Sequence, residues 1–441
     1  MRGMALSTFT PRERRKNWAG FFIDSVFFGV GLTFAGTATT LPAFASRLTD
    51  NPILIGLVGV LWSGGWTFPQ IIAANYLAPM PRKLPLAIFL CWVGRPVFAL
   101  FAVFLFLNRT ADSSLSLVLL YLTVFIFVCL DSIVGVTWFD MLGKALSGRE
   151  RGRLLGTAQT VGGLLSILAG FIIQAVLVSA LLPFPLNYAV IFLLADVAFM
   201  ISMGGFYLIR EPVEPVAEKR QNMANYLPYL VHLLRIDRPF LRVTIARLLV
   251  GFIAMASPFF AVYAIRDLGL SEGAIGIFAI AQTTGLALAG LLFGWLSDRS
   301  GSHTVVRIIG GLYLFAPICA IAGGFFPGMT ALQTALFAGA FFFLGLSDGG
   351  IVLGFLNYVL EIAPAEQRPV YIGLTNSLAG ITIVYPFIGG WLASMTGYPM
   401  IFLIAMVGII AGWSLGWGLP HSTPRIPATQ AGISIPPSTA V

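Results

Sequence analysis

Charge is what this chain has least of. Only 10% of its 441 residues are Asp, Glu, Lys or Arg, against about 25% in a soluble globular protein. With 58% hydrophobic residues, that shortage excludes a large soluble enzyme and leaves a polytopic membrane protein. Cysteine is also scarce. Cys91, Cys129 and Cys319 fall far apart inside apolar runs, so neither a disulfide framework nor a metal-ligand spacing is available. The histidines, His232, His303 and His421, fall in a linker, a loop and a tail, without the spacing of a metal site or a catalytic constellation. No segment reads Gly-x-x-x-x-Gly-Lys-Ser/Thr, so ATP is not expected to drive the protein directly. No catalytic residue, metal or cofactor is therefore expected. A net charge of +8 would suggest nucleic acid in a soluble chain, but positive-inside bias explains it here, and no nucleic-acid partner is expected.

Apolar runs are abundant. A membrane helix needs about 20 mostly apolar residues, and twelve such runs fit: 19–43, 53–77, 84–107, 115–141, 153–178, 186–209, 240–265, 273–296, 304–326, 332–359, 370–395 and 399–419. They are apolar all round rather than alternating, so they are read as helices and not as barrel strands. The run after Arg12, Arg14, Arg15 and Lys16 is too long for a signal-peptide core and contains Asp24, so it is the first span. With the N-terminus inside, 19 Lys and Arg fall in cytoplasmic segments, against only Arg47, Arg109 and Arg266 outside. Both termini are therefore expected in the cytoplasm. The expected organisation is a cytoplasmic N-terminal segment (1–18), a six-helix bundle (19–209), a linker (210–239), a second bundle (240–419) and a disordered tail (420–441) rich in Pro, Ser and Thr. In the linker, Glu211-Pro-Val-Glu214-Pro215 reads as an extended, solvated stretch, and Asn225 to Arg238 as a short interfacial helix.

The two halves repeat. Asp131, Arg151, Gly156 and Gly163 recur at an offset of 217 as Asp348, Arg368, Gly373 and Gly380, and Gly56 aligns with Gly276 at 220. Two parallel six-helix halves are a transporter signature. Between spans 8 and 9 the chain reads Gly294-Trp-Leu-Ser-Asp298-Arg299-Ser-Gly301. This resembles the cytoplasmic loop motif of the major facilitator superfamily, Gly-x-x-x-Asp-Arg-x-Gly followed by basic residues. Ser302 and His303 stand where the basic pair is usual, and the first-half counterpart from Ala74 to Lys83 lacks the Asp and Arg. With the twelve spans and the repeat, the resemblance covers essentially the whole chain. It implies an all-α membrane protein of two pseudo-symmetric six-helix bundles, alternating between two open states around a midplane substrate site. It further implies a gating loop in which Asp298 faces the start of span 5 and Arg299 pairs with Glu361, with Arg151 and Arg368 in further gating pairs. The expected function is secondary transport of a small molecule, coupled to protons, by a monomer in the lipid bilayer of a bacterial inner membrane. A facilitative uniporter, a transporter-like sensor and an integral membrane enzyme are the alternatives.

Five ionisable residues fall at membrane depth: Asp24, Arg95, Asp131, Asp196 and Asp348. Each costs several kcal/mol unless paired or hydrated, which makes each a functional candidate. Arg95 lies about 16 Å into its span, and Asp24 reads as shallower. Asp24 or Asp131 is read as a proton or substrate-cation site with Arg95 as counter-ion. The competing reading is a structural pair of Arg95 with Asp131 or Asp196. The resemblance puts spans 1, 4, 7 and 10 on the cavity, which favours function for Asp24, Asp131 and Asp348 and structure for Asp196. Some drug antiporters of the family carry Gly-Pro-x-x-Gly-Gly on span 5. Span 5 here has Gly162, Gly163 and Gly170 but no proline, which counts against drug efflux.

Overall fold

The structure, a computed structural model, describes residues 9–77, 80–108, 113–212, 236–364 and 368–420. Among these residues there are twelve helices long and apolar enough to cross a membrane. They are α1 (Pro11–Leu48), α2 (Pro52–Leu77), α3 (Leu84–Leu107), α4 (Ser113–Ala145), α5 (Gly148–Val178), α6 (Leu186–Phe206), α7 (Arg238–Asp267), α8 (Ala274–Ser300), α9 (Ser302–Gly324), α10 (Thr330–Ile362), α11 (Leu374–Thr396) and α12 (Tyr398–Trp417). Every expected span is present, with its ends shifted by a few residues. The protein is an integral membrane protein whose backbone polar groups are satisfied within helices, as lipid demands.

Capping decides where several helices begin. Thr10 and Glu13 form a capping box with Pro11 in the first turn, so α1 starts inside the basic segment that precedes the expected first span. This changes the position of Asp24, which lies 13 residues along α1, about 20 Å from its start, and is not shallow. Ser147 and Glu150 cap α5 in the same way. Asp237 accepts the Phe240 N–H at the head of α7 and the Tyr371 hydroxyl at 2.8 Å. α1 breaks at Gly36, whose φ of 57° suits a residue without a Cβ. α3 breaks at Arg95-Pro96, because proline removes a helical donor and crowds the preceding turn. The expected interfacial helix (225–238) lies almost wholly outside the described residues, as do Arg109 and the tail beyond Pro420.

α1 to α6 pack on one another, as do α7 to α12, with a buried core centred in each half that takes in a few residues of the other, Ala38 and Ile55 in one and Ile275 and Ala279 in the other. The halves meet mainly through α5 against α8 and α2 against α11. These two pairings exchange under the repeat, as expected for a pseudo-twofold arrangement. The start of α1, the end of α12 and the helix ends at the α2–α3, α4–α5, α8–α9 and α10–α11 connections share one end of the molecule, the terminal end. The α1–α2 and α7–α8 connections lie at the far end.

Candidate functional site: a cavity between the bundles

A cavity of about 600 Å³ lies between the halves. Its walls come from α1, α5, α8 and α10, with hydroxyl and amide groups from Ser25, Thr33, Gln159, Gln282 and Thr283 among small apolar residues. Asp348 on α10 is the one ionisable residue among those that line it, and its side chain is exposed there. The buried Tyr313 hydroxyl donates to its Oδ1 at 2.6 Å. No basic group lies within ion-pair distance of Asp348 among the described residues. Arg247 on α7 approaches Tyr313, and its guanidinium donates to Asn376 at 3.5 Å.

The far end of the cavity is shut. Arg47 of the first half pairs with Glu272 of the second at 3.3 Å, and Arg266 of the second half pairs with Asp50 of the first. Below them the backbones touch. A Cβ on Gly56 would lie 2.4 Å from the Pro386 carbonyl oxygen, and a Cβ on Gly276 would lie 2.4 Å from that of Gly170. Only glycine permits this approach. Gly56 and Gly276 are a repeat pair in the sequence, and the ionic lock beside them was not among the expected features. Its signal was available, because Arg47 and Arg266 are offset by 219, and Asp50 and Glu272 by 222. Towards the terminal end α5 and α8 stay in contact as far as Gln159 and Gly290. A Cβ on Gly156 of α5 or on Gly294 of α8 would meet nothing within 4 Å.

Asp24 and Asp131, read as cavity residues, turn instead into the interior of the first bundle. There they flank Arg95, which stands at the proline break of α3. Arg95 is 2% exposed, and Asp24 and Asp131 are 6% exposed each. Arg95 Nη2 lies 3.4 Å from Asp24 and 3.6 Å from Asp131. Its Nη1 donates to the Phe199 carbonyl at 2.8 Å and to Ser202 at 2.9 Å. The Ser202 hydroxyl donates to Asp24 at 2.5 Å, so α1, α3, α4 and α6 are tied at one point. The physical reason is desolvation: a buried guanidinium needs carboxylates and acceptors around it. Arg95 does not pair with Asp196. Asp196 accepts the Ala99 N–H at 3.3 Å, a donor released by the Pro96 break, so it acts as an N-cap borrowed from α6. Asp196→Ala is expected to lower stability by about 0.5–2 kcal/mol, the usual cost of a lost cap. Thermal melting alongside a flux assay would check this, with flux per folded molecule unchanged.

The loop motif is only partly assembled. Asp298 and Arg299 are exposed, and Arg299 lies over the Trp295 ring at 5.4 Å. The expected Arg299–Glu361 pair is not made, because the Ser302 hydroxyl takes Glu361 at 2.5 Å. This serine stands where the motif usually has a basic residue. Gly294 and Gly301 occupy the end of α8 and the turn after it. Arg151 lies near Gly143 of α4. Arg368 opens the helical turn before α11, and its side chain lies outside the described residues. Glu211, read as solvated linker, is a further correction. Its carboxylate accepts the Lys83 and Leu84 N–H groups at 2.7 and 2.8 Å, capping α3. Nearby, Asp140 bridges Lys83 and Lys144 at 2.6 Å each.

Two six-helix bundles around a cavity that is closed at one end define a class of membrane protein. The family model described as Major Facilitator Superfamily matches residues 243–437, essentially the second bundle. Solved structures extend the likeness to the whole fold. The nucleoside transporter NupG superposes with a TM-score of 0.61 at 14% identity, covering 92% of this chain and 98% of that one. A bacterial homolog of the human lysosomal transporter Spinster, in an inward-facing and unoccupied conformation, gives 0.62 at 11%, covering 93% and 98%. In sequence, the probable galactarate/D-glucarate transporter GudP of Bacillus subtilis is 31% identical over 147 residues, and the efflux pump apf11 of Gibberella fujikuroi 34% over 106. These matches cover 33% and 23% of this chain, and the chain spans 32% and 19% of the two curated relatives' lengths. The likeness in sequence to the Major Facilitator Superfamily model thus covers residues 243–437, and over the rest of the chain the likeness is one of fold.

Proposed function

We propose that the protein is a secondary transporter, not an enzyme, that carries a small polar molecule across the membrane by alternating access, driven by protons. The carrying observation is Asp348, a carboxylate open to a membrane-depth cavity and held by a tyrosine instead of a cation. An acid in such a place is costly unless it binds a cation or a proton. Asp348 therefore takes the coupling role, ahead of Asp131, whose charge is already committed to Arg95. Asp24, Arg95 and Asp131 hold the first bundle rigid, so that α1 and α4 move as one body.

The basic bias supports a cytoplasmic terminal end, and in that orientation the locked end faces outward. The likeness to an inward-facing neighbour supports the same reading. A cavity of this volume suits a molecule the size of a sugar acid or a nucleoside, the classes for which the Bacillus relative and NupG are named. The test is uptake by liposomes containing the purified monomer, screened over such compounds. Accumulation is expected with an imposed pH gradient and only equilibration without one. Equal uptake under both conditions would make the protein a uniporter.

A further inference from the structure

Away from the central cavity, α9 and α12 leave a second hollow on the molecule's flank, about 540 Å³ in volume. Its floor is apolar: Ile308, Leu312, Phe315 and Ile318 from α9, with Trp413 and Trp417 from α12. Phe315, Ile318 and Trp417 are exposed, as befits a surface that faces lipid. The mouth of the hollow is different, because a guanidinium stands in it. Arg307 lies over the Trp417 ring at 5.4 Å. Its Nε donates to the Gly416 carbonyl at 3.4 Å, and its Nη2 donates to those of Trp417 at 3.2 Å and Leu419 at 2.9 Å. From α7, Arg242 donates through Nη1 to the Gly418 carbonyl. The two arginines thus collar the last carbonyls of α12, which a helix end leaves unsatisfied.

That duty uses only part of their capacity. A guanidinium offers five N–H donors. Nη1 of Arg307 and Nε and Nη2 of Arg242 have no protein acceptor among the described residues, and no carboxylate there pairs with either arginine. The chain itself offers little to fill the gap: residues 421–441 contain no Asp or Glu and add Arg425. Ile318 lies 11 residues beyond Arg307 along α9, about 16 Å at 1.5 Å per residue. One leaflet of a hydrocarbon core roughly 30 Å thick is about the same depth. A cationic mouth at the membrane surface above an apolar trough one leaflet deep matches the two parts of an anionic lipid. Basic pockets between membrane helices favour such headgroups.

We propose that the α9–α12 hollow binds an anionic phospholipid, with its phosphate on Arg307, which lines the hollow, Arg242 adding positive charge at the same helix end, and one acyl chain along Ile308, Leu312, Phe315 and Ile318. A zwitterionic lipid presents the same phosphate but brings a cation to a site already positive. The test is native mass spectrometry of the purified full-length protein, delipidated and then titrated with phosphatidylglycerol or phosphatidylcholine. Wild type is expected to retain at least fivefold more phosphatidylglycerol. The Arg242→Gln, Arg307→Gln double variant should lose that preference. Because it also removes two helix-end contacts, Ile318→Trp serves as a second probe: it fills the trough and leaves both arginines in place, and it too should lose the retained lipid. Equal retention of the two lipids by wild type, or undiminished phosphatidylglycerol on Ile318→Trp, would overturn the proposal.

Discussion

Replacing Arg95 by Met is expected to destabilise the first bundle by about 3–5 kcal/mol, the cost of leaving buried carboxylates without their cation. The substitution strips Asp24 and Asp131 of their shared partner and leaves the Phe199 carbonyl and Ser202 without a donor. The diagnostic partner is the triple variant Asp24→Asn, Arg95→Met, Asp131→Asn. With no net buried charge, it should recover most of the lost melting temperature, since replacing a whole buried network is often close to neutral. Thermal unfolding in detergent reads both. If Arg95→Met melts with wild type, the cluster is no lock. If the triple variant melts as low as the single one, packing of the long side chain is what matters, not charge pairing.

Asp348→Asn is expected to have the opposite profile. The amide keeps an acceptor for the Tyr313 hydroxyl, and the position is open to the cavity, so folding and melting should change little. What is lost is a titratable charge. Uphill accumulation under a pH gradient should fall to the level of equilibration, while substrate exchange between preloaded liposomes persists. Asp131→Asn should show the reverse: a lower melting temperature with pH-driven uptake retained per folded molecule. A variant Asp348→Asn that still concentrates substrate would move the coupling role back to the first bundle, with Asp24 and Asp131 as candidates.

The architecture was legible in the sequence because the membrane makes it so. Twelve apolar runs, a long central linker and a strong basic bias are large signals, and the repeat offset joins the halves. Burial direction was far less legible. A helix that is apolar all round carries no stripe that tells which face meets the cavity. Thus Asp131 and Asp348, equivalent in the repeat, could not be told apart until α4 was seen to turn its acid towards Arg95 and α10 its acid towards the cavity. Depth failed for a different reason. The Thr10–Glu13 capping box lengthens α1 through a basic segment, and this brings Asp24 level with Arg95. Glu211 and Asp196 escaped as caps because each serves a helix distant in sequence. The loop motif led to Glu361 as the partner of Arg299, but Ser302, the departure from the motif, sits beside Glu361 instead.

We propose that the two bundles rock about the Asp348 cavity, opening one end as the other closes. The most direct measurement is a pair of spin-label distances in a background without Cys91, Cys129 and Cys319. One pair goes at Asn51 and Ser271 beside the Arg47–Glu272 and Arg266–Asp50 lock, and the other at Gly156 and Gly294 at the terminal end. In the state described here the first pair flanks closed ion pairs, and a Cβ at either site of the second meets nothing within 4 Å. Charge reversal at Arg47 and Arg266 removes the lock. The first distance is then expected to lengthen as the second shortens, in the same molecules. Two distances that stay fixed, or that lengthen together, would contradict the rocking motion.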